Sequence, residues 1–302
     1  MECIRVALDW TFNTNHSGFI VAEALGLYRA AGLSPQWITP DQDNYTLTPA
    51  KRLELGLADI ALCPMESVIS YRTKSRPFPI VAVAALLQED TSAIVTRERP
   101  DIQRPRDLDG KVYASYRARY EDHIVRQMVI NDGGKGDLRI IYPARLGIWE
   151  TVLGGVADAT WVFENWESIE AAHKGIALRA FKLRDYGIPY GYSPVFAVPE
   201  AAVGERADLL RRFLQATREG FLYAQAHLQE TVEWLLPRVP EAYRDSAFLL
   251  RSQSWVSTYY GDATTWGHMQ EARVEVFLEW LHAHGLESRR LHAADITTSA
   301  LL

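Results

Sequence analysis

Two short stretches of this chain are built alike. Leu55-Gly56-Leu57-Ala58-Asp59 and Gly155-Val156-Ala157-Asp158-Ala159 share a Gly-x-Ala-Asp turn. Each turn runs straight into an apolar strand-like segment, Asp59–Cys63 and Thr160–Phe163, and then into a helix start. Such an echo predicts two units with the same grammar, each presenting strand-end loops. From Cys3 to Leu87 strands and helices alternate: strand Cys3–Leu8, helix Gly18–Ala31, strand Gln36–Thr39, helix Tyr45–Leu57, strand Asp59–Cys63, helix Met65–Thr73 and strand Ile80–Leu87. Alternation of this kind predicts βαβ units and a parallel sheet.

A second segment repeats the pattern. Thr91–Thr96 opens it, followed by strand Val112–Ser115, helix Glu121–Asn131, strand Leu138–Tyr142, helix Leu146–Leu153, strand Thr160–Phe163, helix Asn165–His173 and the run Leu178–Leu183. The chain then returns through strand Ser193–Val198 to a helix over about 206–227. Helical segments follow at Leu235–Val239, Glu241–Leu250, Trp255–Tyr260 and Arg273–His284. The expectation is an α/β fold of two lobes around a shared cleft, residues 1–90 with 193–302 forming one and residues 91–192 the other. The aromatic residues of the C-terminal helices read as packing.

Composition narrows the function. At 302 residues the chain is long enough for two ordinary lobes, and 48% apolar with 23% charged residues is a globular balance. A net charge of −6 without any basic run argues against nucleic acid. No apolar stretch reaches the length of a membrane span. The N-terminus enters a strand without a charged and then apolar leader, which fits a cytoplasmic protein or a mature extracytoplasmic one equally. Cys3 and Cys63 fall at opposite ends of neighbouring strands, about 15–20 Å apart at about 3.3 Å per residue. A disulfide needs Cα atoms within about 7 Å, so none is expected.

Candidate ligand residues lie where strands end and helices begin, the place at which open α/β sheets take ligands. The first such stretch, Asp9 to Gly18, offers the ring of Trp10 and the polar side chains of Asn13 and His16. Asn and Thr also favour turns, so a purely architectural loop is an equal reading. Glu66 and Ser67 open the helix after Cys63, where Ser67 reads as ligand contact or helix cap. Ser115 and Tyr116 follow the strand at 112. Glu164 follows the strand at 160, where a carboxylate takes paired hydrogen bonds from a ligand's donors or caps the helix behind it. Tyr190 and Tyr192 are further candidates for stacking on a flat ring, and Arg117 and Arg119 for neutralising a phosphate or formyl-type group. No metal-ligand spacing, nucleophile elbow, phosphate-cradling glycine loop or dinucleotide fingerprint is present.

Asp9, Trp10, Asn13, His16, Gly26, Leu27 and Tyr28 stand as in the opening of the family that unites bacterial thiamine-pyrimidine binding proteins with fungal thiamine-pyrimidine synthases, and the chain resembles that family through most of its length. The segment Ala50 to Ser67 is likewise similar to those of solute-binding proteins. The resemblance implies a periplasmic-binding-protein type 2 fold and capture of a thiamine-precursor pyrimidine, or a related small heteroaromatic, for an ABC-type permease. The alternatives it leaves are a pyrimidine synthase and a cytosolic ligand sensor. The synthases carry a cofactor-binding lysine and a nearby histidine in the Ala-Asp-strand segment, and a cysteine-rich motif later. Here Cys63 and Ser67 fall at those two positions, and Tyr190–Pro194 contains no cysteine. A Schiff base needs an amine, so the departure favours a binding protein with no cofactor.

Overall fold

The structure is a computed structural model that describes residues 1–144 and 147–302. In chain order the main elements are β1 (Glu2–Ala7), α1 (Ser17–Ala24), α2 (Leu27–Ala30), β2 (Leu33–Ile38), α3 (Pro49–Glu54), β3 (Ile60–Cys63), α4 (Met65–Thr73), β4 (Ile80–Ala85) and β5 (Ser92–Arg97). Next come β6 (Val112–Ala114), α5 (Glu121–Asn131), β7 (Arg139–Ile141), β8 (Ala159–Phe163), α6 (Ile169–His173), β9 (Leu178–Phe181) and β10 (Val195–Pro199). The C-terminal helices are α7 (Ala202–Glu205), α8 (Ala207–Ala226), α9 (Leu228–Leu235), α10 (Ser246–Val256), α11 (Glu271–Ala283) and α12 (Ala293–Ile296). No helix among the described residues is long and apolar enough to cross a membrane.

The chain divides into two compact units, residues 1–90, 191–282 and 287–302 in the first, and 91–190 with 283–286 in the second. Each holds one five-stranded sheet, ordered β2-β1-β3-β10-β4 in the first unit and β7-β6-β8-β5-β9 in the second. The sheets are mixed, which corrects the expectation of a parallel sheet. β1 pairs parallel with β2 and β3, but β10 runs antiparallel between β3 and β4. β6 likewise pairs parallel with β7 and β8, while β5 runs antiparallel between β8 and β9. The reversed strand in each sheet is not joined to its neighbours by a helical crossover, so alternation in sequence says nothing of its direction.

The repeated turns have a structural reason. The Asp59 amide donates to the carbonyl of Arg5 at 2.8 Å, and its carboxylate accepts the Arg5 amide at 2.8 Å. Asp158 does the same to Val112, at 2.8 and 2.9 Å. Each aspartate thus clamps the start of a parallel pair, β3 on β1 and β8 on β6. Arginines complete the clamps: Arg5 and Arg206 on Asp59, Arg99 on Asp158. Burial alone would raise the Asp59 carboxyl, but hydrogen bonds from Arg5 and Arg206 outweigh it and hold the group below its ordinary value.

Other boundaries move for local reasons. The expected helix Gly18–Ala31 is two helices, because Gly26 takes the left-handed conformation (φ 72°) that ends α1. The helix expected over Tyr45–Leu57 begins only at Pro49, whose missing N–H suits a first helical position, with Thr48 accepting the Lys51 amide as its cap. The helix expected at Leu146–Leu153 begins outside the described residues, and 148–155 wind as turns. The residues after Phe163 form one π-turn, Glu164–Ser168, before α6. Helix α9 occupies Leu228–Leu235 and stops ahead of Pro237, so of the helix expected over Leu235–Val239 only Leu235 is helical. The core of the first unit is aromatic. Phe19 meets Phe196 and Phe221 edge-on at 5.8 and 5.3 Å, and Phe221 meets Tyr260 at 4.8 Å, where ring edges face ring planes.

Candidate functional site

In the first unit the loop after β1 is held by its own side chains. Asn13 is the cap of the turn Thr14–His16: its Oδ1 accepts the Asn15 amide at 2.8 Å and its Nδ2 donates to the carbonyl of Thr11 at 3.1 Å. The Asn13 amide donates to His16 Nδ1 at 3.3 Å, which leaves the proton on Nε2, 2.7 Å from Asp9 Oδ1. The imidazole is fully buried between Phe12 and Phe19. Both side chains are ligand candidates from the sequence, and in the structure both make hydrogen bonds that shape the loop. The ring that the loop presents is Trp10, half-buried and leaning on Tyr45 at 5.2 Å.

A fully buried polar network anchors this loop from behind. Thr14 Oγ1 meets Ser252 Oγ at 2.6 Å, Ser17 Oγ donates to Gln253 Oε1 at 2.5 Å, and the Tyr260 hydroxyl donates to the Thr14 carbonyl at 2.8 Å. Sequence reasoning missed Ser252, Gln253 and Tyr260, because a helical period marks a face as buried without naming its polar partners.

The loop after β3 lies at the same sheet edge, since β1 and β3 are paired neighbours. Burial, and then the carboxylates of Asp9 and Glu66, push the Cys63 thiol well up, so all three groups share one neighbourhood. Glu66 is buried in the first turn of α4 and Ser67 is half-buried. No side chain caps α4, so Ser67 is not its cap. The Met65 amide donates to the Tyr192 carbonyl at 2.9 Å instead. Tyr192 is buried as well, its hydroxyl accepting the Gln270 amide at 2.9 Å and its ring lying 4.6 Å from the Arg273 guanidinium.

The second unit repeats the layout, with β6 and β8 paired. Ser115 is buried; its hydroxyl donates to Asp122 at 2.6 Å and accepts the Arg117 amide at 2.9 Å. Glu121, also missed from sequence, organises the loop. Its carboxylate accepts the Tyr113 hydroxyl at 2.7 Å, the Tyr116 amide at 3.0 Å and the Ala118 amide at 3.2 Å. Burial raises the Glu121 carboxyl above its ordinary value, against the pull of those three donors. Tyr116 itself is half-buried, and Arg117 and Arg119 are exposed, their guanidinium groups over the rings of Tyr142 and Tyr120 at 4.8 and 5.2 Å. Tyr190 is buried against Trp161, ring centroids 5.2 Å apart.

Glu164 opens the π-turn after β8 and pairs with Lys182 at 3.1 Å. Glu167 reaches back over this turn and accepts the Phe163 amide at 3.1 Å. Burial, against hydrogen bonds from its own and the Phe163 amides, raises the Glu167 carboxyl to about 7. An acid raised in the folded state adds stability below its unfolded value and loses it as pH rises through about 7. Glu167→Gln keeps an oxygen for the Phe163 amide and removes the titration. The variant is therefore expected to melt higher than wild type above about pH 7 and not below about pH 4, in thermal scans over that range. Equal melting offsets at both ends would contradict this account.

Two α/β sheets of the same strand order are the fold of periplasmic binding proteins. The alkanesulfonate-binding protein SsuA of Xanthomonas axonopodis pv. citri superimposes with a TM-score of 0.73 at 12% identity, over 99% of this chain and 98% of that one. Residues 13–231 match the NMT1/THI5-like family, and the chain belongs to it. It is 25% identical to the formylaminopyrimidine-binding protein of Halalkalibacterium halodurans, covering 99% of this chain and 90% of the relative. It is 22% identical to the 4-amino-5-hydroxymethyl-2-methylpyrimidine phosphate synthase of Legionella pneumophila, covering 79% and 74%.

Proposed function

We propose that this chain is a solute-binding protein for a thiamine-precursor pyrimidine or a closely related heteroaromatic, handing it to an ABC-type permease outside the cytoplasm. The observation that carries the reading is the near full-length likeness to a formylaminopyrimidine-binding protein on a binding-protein fold. In this reading Trp10 stacks on the ring and Glu164, already beside Lys182, accepts from the amino edge. Glu66, Tyr116, Tyr190 and Tyr192 complete the candidate set, while Asn13, His16 and Ser115 act through the shape of their loops. The synthase-named relative keeps an enzymatic reading in play. Against it stands Cys63, a buried thiol where the resemblance to the synthases implies a lysine.

Titration calorimetry on two variants tests the assignment. Trp10→Ala is expected to weaken every flat heteroaromatic by about 1–3 kcal/mol, the scale of a base stacked on an aromatic ring. Glu164→Gln is expected to cost about 1.5–3 kcal/mol only for ligands bearing the amino group. Equal losses for an aminopyrimidine and its des-amino analogue in the Gln variant would remove Glu164 from the site.

A further inference from the structure

Helix N-termini and strand-end loops attract anions, because their amides point outward and the helix dipole adds positive potential. In the second unit three amides of one such loop point elsewhere. The loop after β6 leads into the N-terminus of α5, and Glu121 takes the amides of Tyr116 and Ala118 while the Ser115 hydroxyl takes that of Arg117. Glu121 is only 2% exposed and a second carboxylate, Asp122, follows it, holding Ser115 and Tyr142 at 2.6 Å each. The loop's own cations, Arg117 and Arg119, lie over tyrosine rings. The next loop along the sheet edge is closed similarly, since Glu167 takes the Phe163 amide and Glu164 pairs with Lys182.

We infer that Glu121 is a specificity-determining residue: its carboxylate, with the Ser115 hydroxyl, occupies the three loop amides that an anionic ligand would use there, so the chain selects neutral or cationic heterocycles and rejects phosphate esters and sulfonates. The inference deepens the proposed function and rests on it for the identity of the heterocycle. It separates this chain chemically from a sulfonate binder of the same fold. It also sets it apart from a protein that must hold a pyrimidine phosphate.

The test is calorimetry on the whole chain with four probes: 4-amino-5-hydroxymethyl-2-methylpyrimidine, its phosphate monoester, inorganic sulfate and methanesulfonate. The ester is expected to bind about 100-fold more weakly than the alcohol, as like charges brought together in a buried setting require. The two simple anions are expected to give no binding heat. Glu121→Gln removes the charge and turns an NH₂ toward one of the amides, so the discrimination is expected to narrow about tenfold. Equal affinity for ester and alcohol, measurable sulfate or methanesulfonate binding, or an unchanged ratio in a folded Gln variant would each overturn the inference. If the variant fails to fold, the wild-type ratio and the two anions decide it. If neither pyrimidine binds, the proposed function fails, while the anion arms still support or overturn the exclusion of anions.

Discussion

Gly220→Ala is expected to lower the melting midpoint of this protein more than any other single-methyl change. α1 and α8 cross backbone to backbone: a Cβ at Gly220 would lie 2.1 Å from the Gly18 carbonyl oxygen and 2.8 Å from the Ala22 Cβ. A Cβ at Gly18 would meet the Phe221 ring at 2.2 Å. Neither obstacle is the loose end of a side chain, so the helices must separate, and Phe221 sits in the aromatic core that they cover. Overpacking of this kind costs about 3 kcal/mol at the upper end of the usual range. Because α1 starts directly after the Trp10–His16 loop, the shift is expected to reach that loop too. Thermal scans check the first effect, and a midpoint within about 2 °C of wild type would contradict the close crossing.

Gln253→Leu is expected to be nearly as damaging, by a different route. Leucine preserves bulk but removes the acceptor for the Ser17 hydroxyl and the second partner, at 3.4 Å, of the Tyr260 hydroxyl. These groups are buried without access to water, and one stranded donor there costs about 1–3 kcal/mol. Tyr260→Phe is expected to cost about 1 kcal/mol, because the Thr14 carbonyl keeps the Ser17 amide as a donor. Amide hydrogen exchange over residues 11–17 is expected to quicken in both variants, more in Gln253→Leu. Gln253 lies beyond the residues matched by the family, so the C-terminal helices supply this anchoring. Unchanged exchange in the loop would show that the network does not hold it.

Much of the fold was readable from periodicity. Helices Met65–Thr73 and Glu121–Asn131 have the expected bounds, and the Gly-x-Ala-Asp echo marks equivalent strand pairs in the two sheets. Sheet direction was not readable for β5 and β10, because strand pairing between distant segments leaves no local pattern. The candidate loops were legible by location more than by the hydrogen bonds their residues make. Asn13 and His16 fall in the loop after β1, but residue type alone does not reveal the hydrogen bonds they make within it. Glu121 reads in sequence as an acid favoured at a helix start, and only the fold shows three donors converging on it. Glu164 and Glu167 sit three apart on a π-turn, and only the fold shows that Glu167 is the one that accepts the Phe163 amide.

Native mass spectrometry of the purified protein tests most directly the proposal that this chain carries a pyrimidine and does not transform one. Incubated with an aminopyrimidine such as 4-amino-5-hydroxymethyl-2-methylpyrimidine, it is expected to show one bound equivalent that is released with unchanged mass on denaturation. A pyridoxal phosphate adduct on a lysine that survives denaturation after borohydride treatment, or release of a chemically altered pyrimidine, would contradict that account.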